Sequence, residues 1–185
     1  MRADSAKDSA SSLIFVDKLP ESIALQHYIF SVQDTHLGIK KSKLRKHYRH
    51  LLNCALAEHA YAAYSRAYCG NEVIQITSSA YELGCDYECT HKFVEKSTFF
   101  TTGSEIMNMR GQLQRSEEHI ILCTLWGLKE AVAKMLNIPL HELLAAGTLR
   151  NHDGGWHIAG IQRPVYVYTE CRGSNIIVVT YCERN

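Results

Sequence analysis

The 185-residue sequence predicts an α+β fold in which antiparallel strands pack against helices. Three observations lead to this prediction. Residues 124–136 place apolar side chains at three- and four-residue steps, as an amphipathic helix does. Residues 71–79 (NEVIQITSS) alternate as a strand does, and the last third holds two glycine-containing turns between apolar runs. A chain that is 46% apolar and 21% charged can bury a core of ordinary size.

The amino-terminal part divides into a tail and a region with helical signals. Residues 1–12 are small and polar, so they are predicted to be a disordered tail rather than a secretory signal. A single domain is predicted over 13–185, with an amino-terminal part at 13–82. Residues 13–33 combine a short apolar run with a Pro-Glu-Ser helix start, and the alanine-rich stretch 38–68 favours helix.

Strands and helices then alternate along the rest of the chain. The strand at 71–79 is followed by a second extended piece, YELGCDYE, and the sequence TGSE at 102–105 is typical of a turn that begins a helix. Pro139 ends the helix at 124–136, and a short helix, LHELLAAG, stops at Gly147. Two hairpins are predicted to turn at 153–155 and 172–174.

Charge and composition exclude several classes. A net charge of +1 gives no general argument for a nucleic-acid or membrane partner, and the apolar runs are far shorter than the ~20 residues that span a bilayer. Seven cysteines, without a secretion signal, favour reduced thiols in a cytoplasmic protein. Cys85, Cys89 and His91 could bind zinc, although their spacing lacks the usual Cys-x-x-Cys pair.

The helix at 124–136 carries the first candidate site. Its core-facing stripe consists of Leu125, Leu128, Val132 and Met135, while Glu130 lies beside that stripe with Lys134 one turn further. Two interpretations stay open here. Glu130 and Lys134 form an ordinary surface pair, worth ~0.3–0.5 kcal/mol, or Glu130 holds a ligand.

The second candidate site is the stretch GCDYE at 84–88. In a strand, Asp86 and Glu88 point to the same side, because side chains alternate with a period of two. Two carboxylates about 7 Å apart repel each other, and this arrangement suits a divalent cation with hard oxygen ligands. The alternative is a solvated strand end.

Together these segments resemble the 4′-phosphopantetheinyl transferases, in the broad-specificity branch of that superfamily. The resemblance covers residues 83–185 and rests on GCDYE, then FFTTGSE, then LWGLKEAVAK, with Glu130 lying 42 positions after Glu88. The family's fold packs antiparallel strands with helices. The resemblance implies an enzyme that moves phosphopantetheine from coenzyme A to a serine of an acyl or peptidyl carrier protein, as fatty acid and polyketide synthesis require.

The resemblance also implies roles for individual residues. Asp86, Glu88 and Glu130 would hold Mg²⁺ against the diphosphate of coenzyme A, and Glu130 would also act as general base or position a water. Lys134 would contact a coenzyme A phosphate, and Lys129 would do the same or serve the helix alone. Two further family positions are expected to be structural, at Trp126 and Glu105.

The amino-terminal part departs from the family pattern. The Ser-His-Ser or Ser-His-Thr strand that supplies a coenzyme A-binding histidine is absent, and His59 within AEHAYAAY is one stand-in, with Ser78-Ser79 the other. The part 13–82 is also short for the family's first lobe. Three explanations stay open: a reduced lobe, a homo-oligomer that completes the pocket, or a catalytically silent relative that binds coenzyme A or a partner.

The basic segment 40–50 also has more than one interpretation. It forms a solvated helix face, a docking surface for an acidic carrier protein, or a contact for the 3′-phosphate of coenzyme A. A last alternative is a helical adaptor outside the family.

Overall fold

The computed structural model describes residues 11–29, 46, 48–50, 52–53, 63–94, 99–115, 117–144, 149–152, 155–158 and 163–184. It is a mixture of strands and helices, which confirms the α+β class. The strands are β1 (Ser11–Val16), β2 (Ile23–Ile29), β3 (Ala63–Cys69), β4 (Glu72–Ser78), β5 (Tyr81–Cys89), β6 (Leu149–His152), β7 (Gly155–Ile158), β8 (Val165–Arg172) and β9 (Asn175–Glu183). The helices with defined bounds are α1 (Gly103–Leu113), α2 (Glu118–Leu136) and α3 (Leu140–Leu144), with a short 3₁₀ turn at Thr90–Phe93. Residues 46, 48–50 and 52–53 are also helical, as predicted for this segment.

A six-stranded sheet in the order β5-β9-β8-β1-β7-β6 forms the centre of the molecule. Both predicted hairpins are confirmed, since β6 pairs antiparallel with β7 and β8 pairs antiparallel with β9. Strand β1 joins the two hairpins by lying parallel to β8 and antiparallel to β7. Helix α2 packs on β5 and β9 and buries the predicted stripe, with Leu125 and Leu128 fully buried.

A second sheet, of three strands in the order β2-β4-β3, packs against the other face of β5. A second apolar core fills the space between the sheets and includes Ile74, Ile76 and Ile177. The hydroxyl of Ser65 accepts a hydrogen bond from the amide of Cys85 at 3.0 Å, so β3 approaches β5 closely. Strand β5 is therefore packed on both faces, which fixes the side chains that it presents to α2.

The helix predicted within residues 13–33 is wrong, because strands β1 and β2 occupy this region. Strand β2 pairs with β4 over seven residues, and this pairing outweighs the local Pro-Glu-Ser signal. The predicted helix is also wrong over 63–69, where β3 forms a hairpin with β4 through Gly70 at φ +62°. Alanine propensity is a weak preference that sheet pairing readily overrides.

Other boundaries follow the sequence signals. Helix α1 begins with a capping box between Thr102 and Glu105, and α2 ends at Asn137 in the left-handed conformation (φ 54°). Among the described helices, none is long and apolar enough to cross a membrane. Strand β1 begins at Ser11, so the predicted disordered tail is wrong for its last two residues. Gly147, His59 and most of the basic segment 40–50 lie outside the described residues.

Candidate metal centre

A glycine brings strand β5 unusually close to helix α2. A Cβ added at Gly84 would lie 1.8 Å from the carbonyl oxygen of Ala131 and 2.8 Å from the backbone nitrogen of Met135. Backbone atoms cannot yield to such a contact, so only glycine fits at this position. The glycine of GCDYE thus sets the separation between the strand and the helix that carry the candidate site.

Three carboxylates meet across this close contact. Asp86 and Glu88 point from β5 towards α2, and Glu130 comes from α2. One oxygen from each side chain lies within 4.8 Å of the others. The prediction that Asp86 and Glu88 share one side of a strand is confirmed, and the structure brings Glu130 to the same place.

Two lysines neutralise part of this negative charge. The Lys134 ammonium donates to Asp86 Oδ1 at 2.9 Å and to the Cys85 carbonyl at 3.0 Å, and lies 3.1 Å from Glu130 Oε2. Lys92 lies 2.5 Å from Glu88 Oε2. Sequence reasoning did not identify Lys92, because a spacing of four residues brings side chains together in a helix, whereas Glu88 lies in a strand that ends just before the turn at Thr90–Phe93.

The charges around Asp86 do not balance. Burial raises the pKa of Asp86 to about 7; Lys134 opposes this rise, while Glu130 and Glu88 add to it. Burial would lower the pKa of Lys134, but the carboxylates of Asp86 and Glu130 raise it well above its ordinary value. The lysine therefore stays charged, while burial, reinforced by the neighbouring carboxylates, keeps the pKa of Asp86 above its ordinary value.

Asp86 also leaves one oxygen without a partner. Its side chain is 5% exposed, and Oδ2 makes no hydrogen bond to any residue that the structure describes. A Cβ at Gly127 of α2 would lie 3.4 Å from this oxygen, so glycine leaves room beside it. A buried carboxylate oxygen without a donor is costly. A cluster of three carboxylates, one of which has a buried oxygen without a partner, fits a divalent cation of the Mg²⁺ type.

A pocket opens beside the carboxylates. It has a volume of about 450 Å³ and is lined by Glu130 of the cluster and by Lys134, which contacts the cluster. The rest of its lining is mainly apolar and comes from the end of α2 and the turn to α3: Ala133, Asn137, Ile138, Pro139 and Leu140. A ligand in this pocket would meet both the charged side chains of Glu130 and Lys134 and the apolar side chains of the wall.

Lys129 is not part of this arrangement. Its side chain is 1% exposed, and its ammonium donates to the Phe100 carbonyl at 2.5 Å and lies 3.1 Å from Glu105 Oε1. Its predicted contact with coenzyme A is therefore not supported, because the ammonium is enclosed by its own partners. Trp126 packs on Phe93 and Phe100, as expected for a structural residue.

The predicted zinc alternative is not supported. Cys85 is fully buried towards the three-stranded sheet, on the face of β5 opposite to the carboxylates. Among the described residues, the group with metal-binding geometry is the carboxylate cluster, and the described cysteines are free. No model of a known protein family matches the chain, and no curated protein is significantly similar to it.

Proposed function

We propose that the protein is a Mg²⁺-dependent phosphopantetheinyl transferase acting on a carrier protein. The observation that carries the proposal is the carboxylate cluster Asp86, Glu88 and Glu130, in which Asp86 Oδ2 is buried without a partner and Glu130 lines an open pocket. The order of the motifs along the chain supports the same activity. Two of these motifs, GCDYE on β5 and KEAVAK on α2, supply the three carboxylates.

The cluster suits the chemistry of diphosphate substrates. Asp86, Glu88 and Glu130 would hold the cation, which when bound neutralises the diphosphate of coenzyme A. Glu130 lies at the border between cluster and pocket, where its carboxylate can accept the proton of the attacking serine hydroxyl. The serine oxygen forms a bond to phosphorus, and the bond to adenosine 3′,5′-bisphosphate breaks.

Lys134 and the pocket define how the substrate is held. The side chain of Lys134 lines the pocket, and its ammonium can turn towards a phosphate oxygen there. The apolar wall formed by residues such as Ile138 and Leu140 suits the uncharged part of the substrate. Lys129 has no role in this proposal, because it is buried against Glu105.

Intact-protein mass spectrometry tests the proposal directly. The protein is mixed with coenzyme A, Mg²⁺ and a panel of apo carrier proteins, with a no-metal control and with Glu130→Gln as the matched variant. We expect a carrier to gain the mass of one phosphopantetheine with the wild type, and no gain without metal or with the variant. Transfer that persists in Glu130→Gln, or the absence of transfer to every carrier, contradicts the proposal.

One observation favours a second candidate, a silent relative that binds coenzyme A or a partner without transfer. Each of the three carboxylates already has a lysine neighbour, since Lys134 serves Asp86 and Glu130 while Lys92 serves Glu88. In that case the cluster acts as an internal ion-pair network. Coenzyme A binding without transfer to any carrier supports this candidate.

A further inference from the structure

Lys134 contacts two members of the carboxylate cluster and also lines the pocket. Its ammonium contacts Asp86 Oδ1, the Cys85 carbonyl and Glu130 within 3.1 Å. Asp86 and Glu130 are two of the three carboxylates that could hold a cation. An ammonium and a divalent cation compete for the same lone pairs, because carboxylate oxygens are ligands for both.

The side chain of Lys134 also has space to move away from the carboxylates. It is 33% exposed and lines the pocket, in contrast to the 1% exposed side chain of Lys129. The flexible lysine stem carries its charge through several rotamers. Rotation away from Asp86 would therefore move the ammonium into the pocket without unfolding any part of α2.

We propose that Lys134 is an internal counter-cation, which occupies the carboxylates of the free protein and is displaced into the pocket when a divalent cation binds. The inference rests on the proposed function for the identity of the cation and of the pocket ligand. The displaced ammonium would then face an anionic group in the pocket. The cost of displacing Lys134 lowers the affinity for free Mg²⁺, and an anion in the pocket offsets that cost.

Removal of the Lys134 ammonium changes the affinity for Mg²⁺ in opposite directions, depending on whether the lysine competes with the cation or holds the carboxylates in place. If the lysine competes, Lys134→Gln binds Mg²⁺ more tightly than the wild type, by about tenfold for the loss of one adjacent charge. If the lysine only holds the carboxylates in place, the same variant binds Mg²⁺ more weakly. The matched control is Lys92→Gln, because Lys92 contacts Glu88 but neither of the carboxylates that Lys134 occupies.

The experiment is a calorimetric Mg²⁺ titration of the purified wild type, Lys134→Gln, Lys92→Gln and Glu130→Gln, at about pH 8.5 so that the ionised form of Asp86 is favoured. We expect Lys134→Gln to bind Mg²⁺ more tightly than Lys92→Gln. The Lys92→Gln variant should bind Mg²⁺ as tightly as the wild type or slightly more tightly. Unchanged or weaker binding by a folded Lys134→Gln protein overturns the inference while leaving the metal site intact. A wild type that does not bind Mg²⁺ overturns both the inference and the metal site of the proposed function.

A second measurement uses the wild type alone, in case the variant does not fold. Lysines are acetylated briefly with and without Mg²⁺, and the modified peptides are quantified by mass spectrometry. We expect Mg²⁺ to increase the acetylation of Lys134 several-fold while exposed Lys18 stays constant, because an amine that has left the carboxylates is more accessible and more often neutral, which is the form that reacts. Equal acetylation of Lys134 in both conditions contradicts the displacement.

A parallel titration with coenzyme A separates the two proposals. Weaker coenzyme A binding by Lys134→Gln, together with tighter Mg²⁺ binding, supports the displacement and places the ammonium near the ligand. Tighter Mg²⁺ binding by the variant with no coenzyme A binding by the wild type keeps the displacement and contradicts the proposed transferase.

Discussion

Two lysines on helix α2 take part in very different ion pairs. Lys129 and Glu105 are each 1% exposed and match one positive charge with one negative charge. Glu105 also accepts from the amides of Thr102 and Leu149, so its oxygens are well supplied with donors. Five residues further along the helix, Lys134 faces two carboxylates, and Asp86 keeps an oxygen without a donor.

The difference separates a structural pair from a candidate binding site. At Glu105, burial raises the pKa, but the backbone donors and Lys129 outweigh it, so the pKa of that carboxyl lies below its ordinary value. At Asp86, burial prevails, and the pKa lies above its ordinary value. A pair whose charge and hydrogen bonds are complete holds the fold together, whereas a site with a deficit of positive charge attracts a cation.

The largest expected effect comes from breaking the balanced pair. Lys129→Met leaves the Glu105 carboxylate buried without its ammonium, so we expect the free energy of unfolding to fall by about 3–5 kcal/mol. Urea denaturation measures this loss. The double variant Lys129→Met, Glu105→Leu should recover most of it, because both charges are then absent. A small effect of the single variant contradicts the structural role assigned to Lys129.

The next effect concerns the close contact that assembles the cluster. Gly84→Ala places a Cβ against the backbone of Ala131 and should lower the free energy of unfolding by about 1–3 kcal/mol or more. The matched control is Gly111→Ala in α1, where an added Cβ meets no neighbour and alanine should stabilise the helix by about 0.5–1 kcal/mol. Equal stability of the two variants in urea denaturation contradicts the contact between β5 and α2.

A smaller effect is the pH dependence that follows from the raised pKa of Asp86. The pKa of Asp86 is about 7 in the folded protein and near 3.8 when unfolded, so its stabilising contribution is present below about pH 4 and is lost as the pH rises through 7. Cation binding has the opposite dependence, because Mg²⁺ requires the ionised carboxylate. Calorimetric Mg²⁺ titrations at about pH 6, 7 and 8 should show affinity rising with pH, by up to about tenfold per unit below the pKa. An affinity independent of pH contradicts this assignment.

Much of the site was predictable from local sequence. Residue alternation placed Asp86 and Glu88 on one side of a strand, and helical spacing placed Glu130 beside the buried stripe of α2. The different roles of Lys129 and Lys134 were not predictable, because both lie near Glu130 in sequence. Lys129 has a structural role because its ammonium meets Phe100 and, at the start of α1, Glu105. Only the tertiary structure brings these partners to the lysine.

The fold was predicted less well at its amino-terminal end. Strands β2 and β3 mix residues that favour helix, such as alanine and leucine, with isoleucine and tyrosine that favour strand, and pairing with β4 decides between the two. Such pairing joins Ile23–Ile29 to residues about 50 positions away, which local patterns do not encode. The hairpins near the carboxyl terminus were easier, since a glycine turn such as Gly173 (φ +61°) marks the pairing directly.

The most direct test of the account compares Mg²⁺ binding by two carboxamide variants. The thermal midpoint of the wild type, Glu130→Gln and Glu105→Gln is measured with and without Mg²⁺, at concentrations that saturate the wild type. We predict that the wild type gains stability with Mg²⁺, about 2.7 kcal/mol at 100 times the dissociation constant, and that Glu130→Gln gains none. Glu105→Gln should be less stable throughout yet retain its gain from Mg²⁺. A gain that persists in Glu130→Gln, or that vanishes in a folded Glu105→Gln, contradicts the assignment of the metal centre.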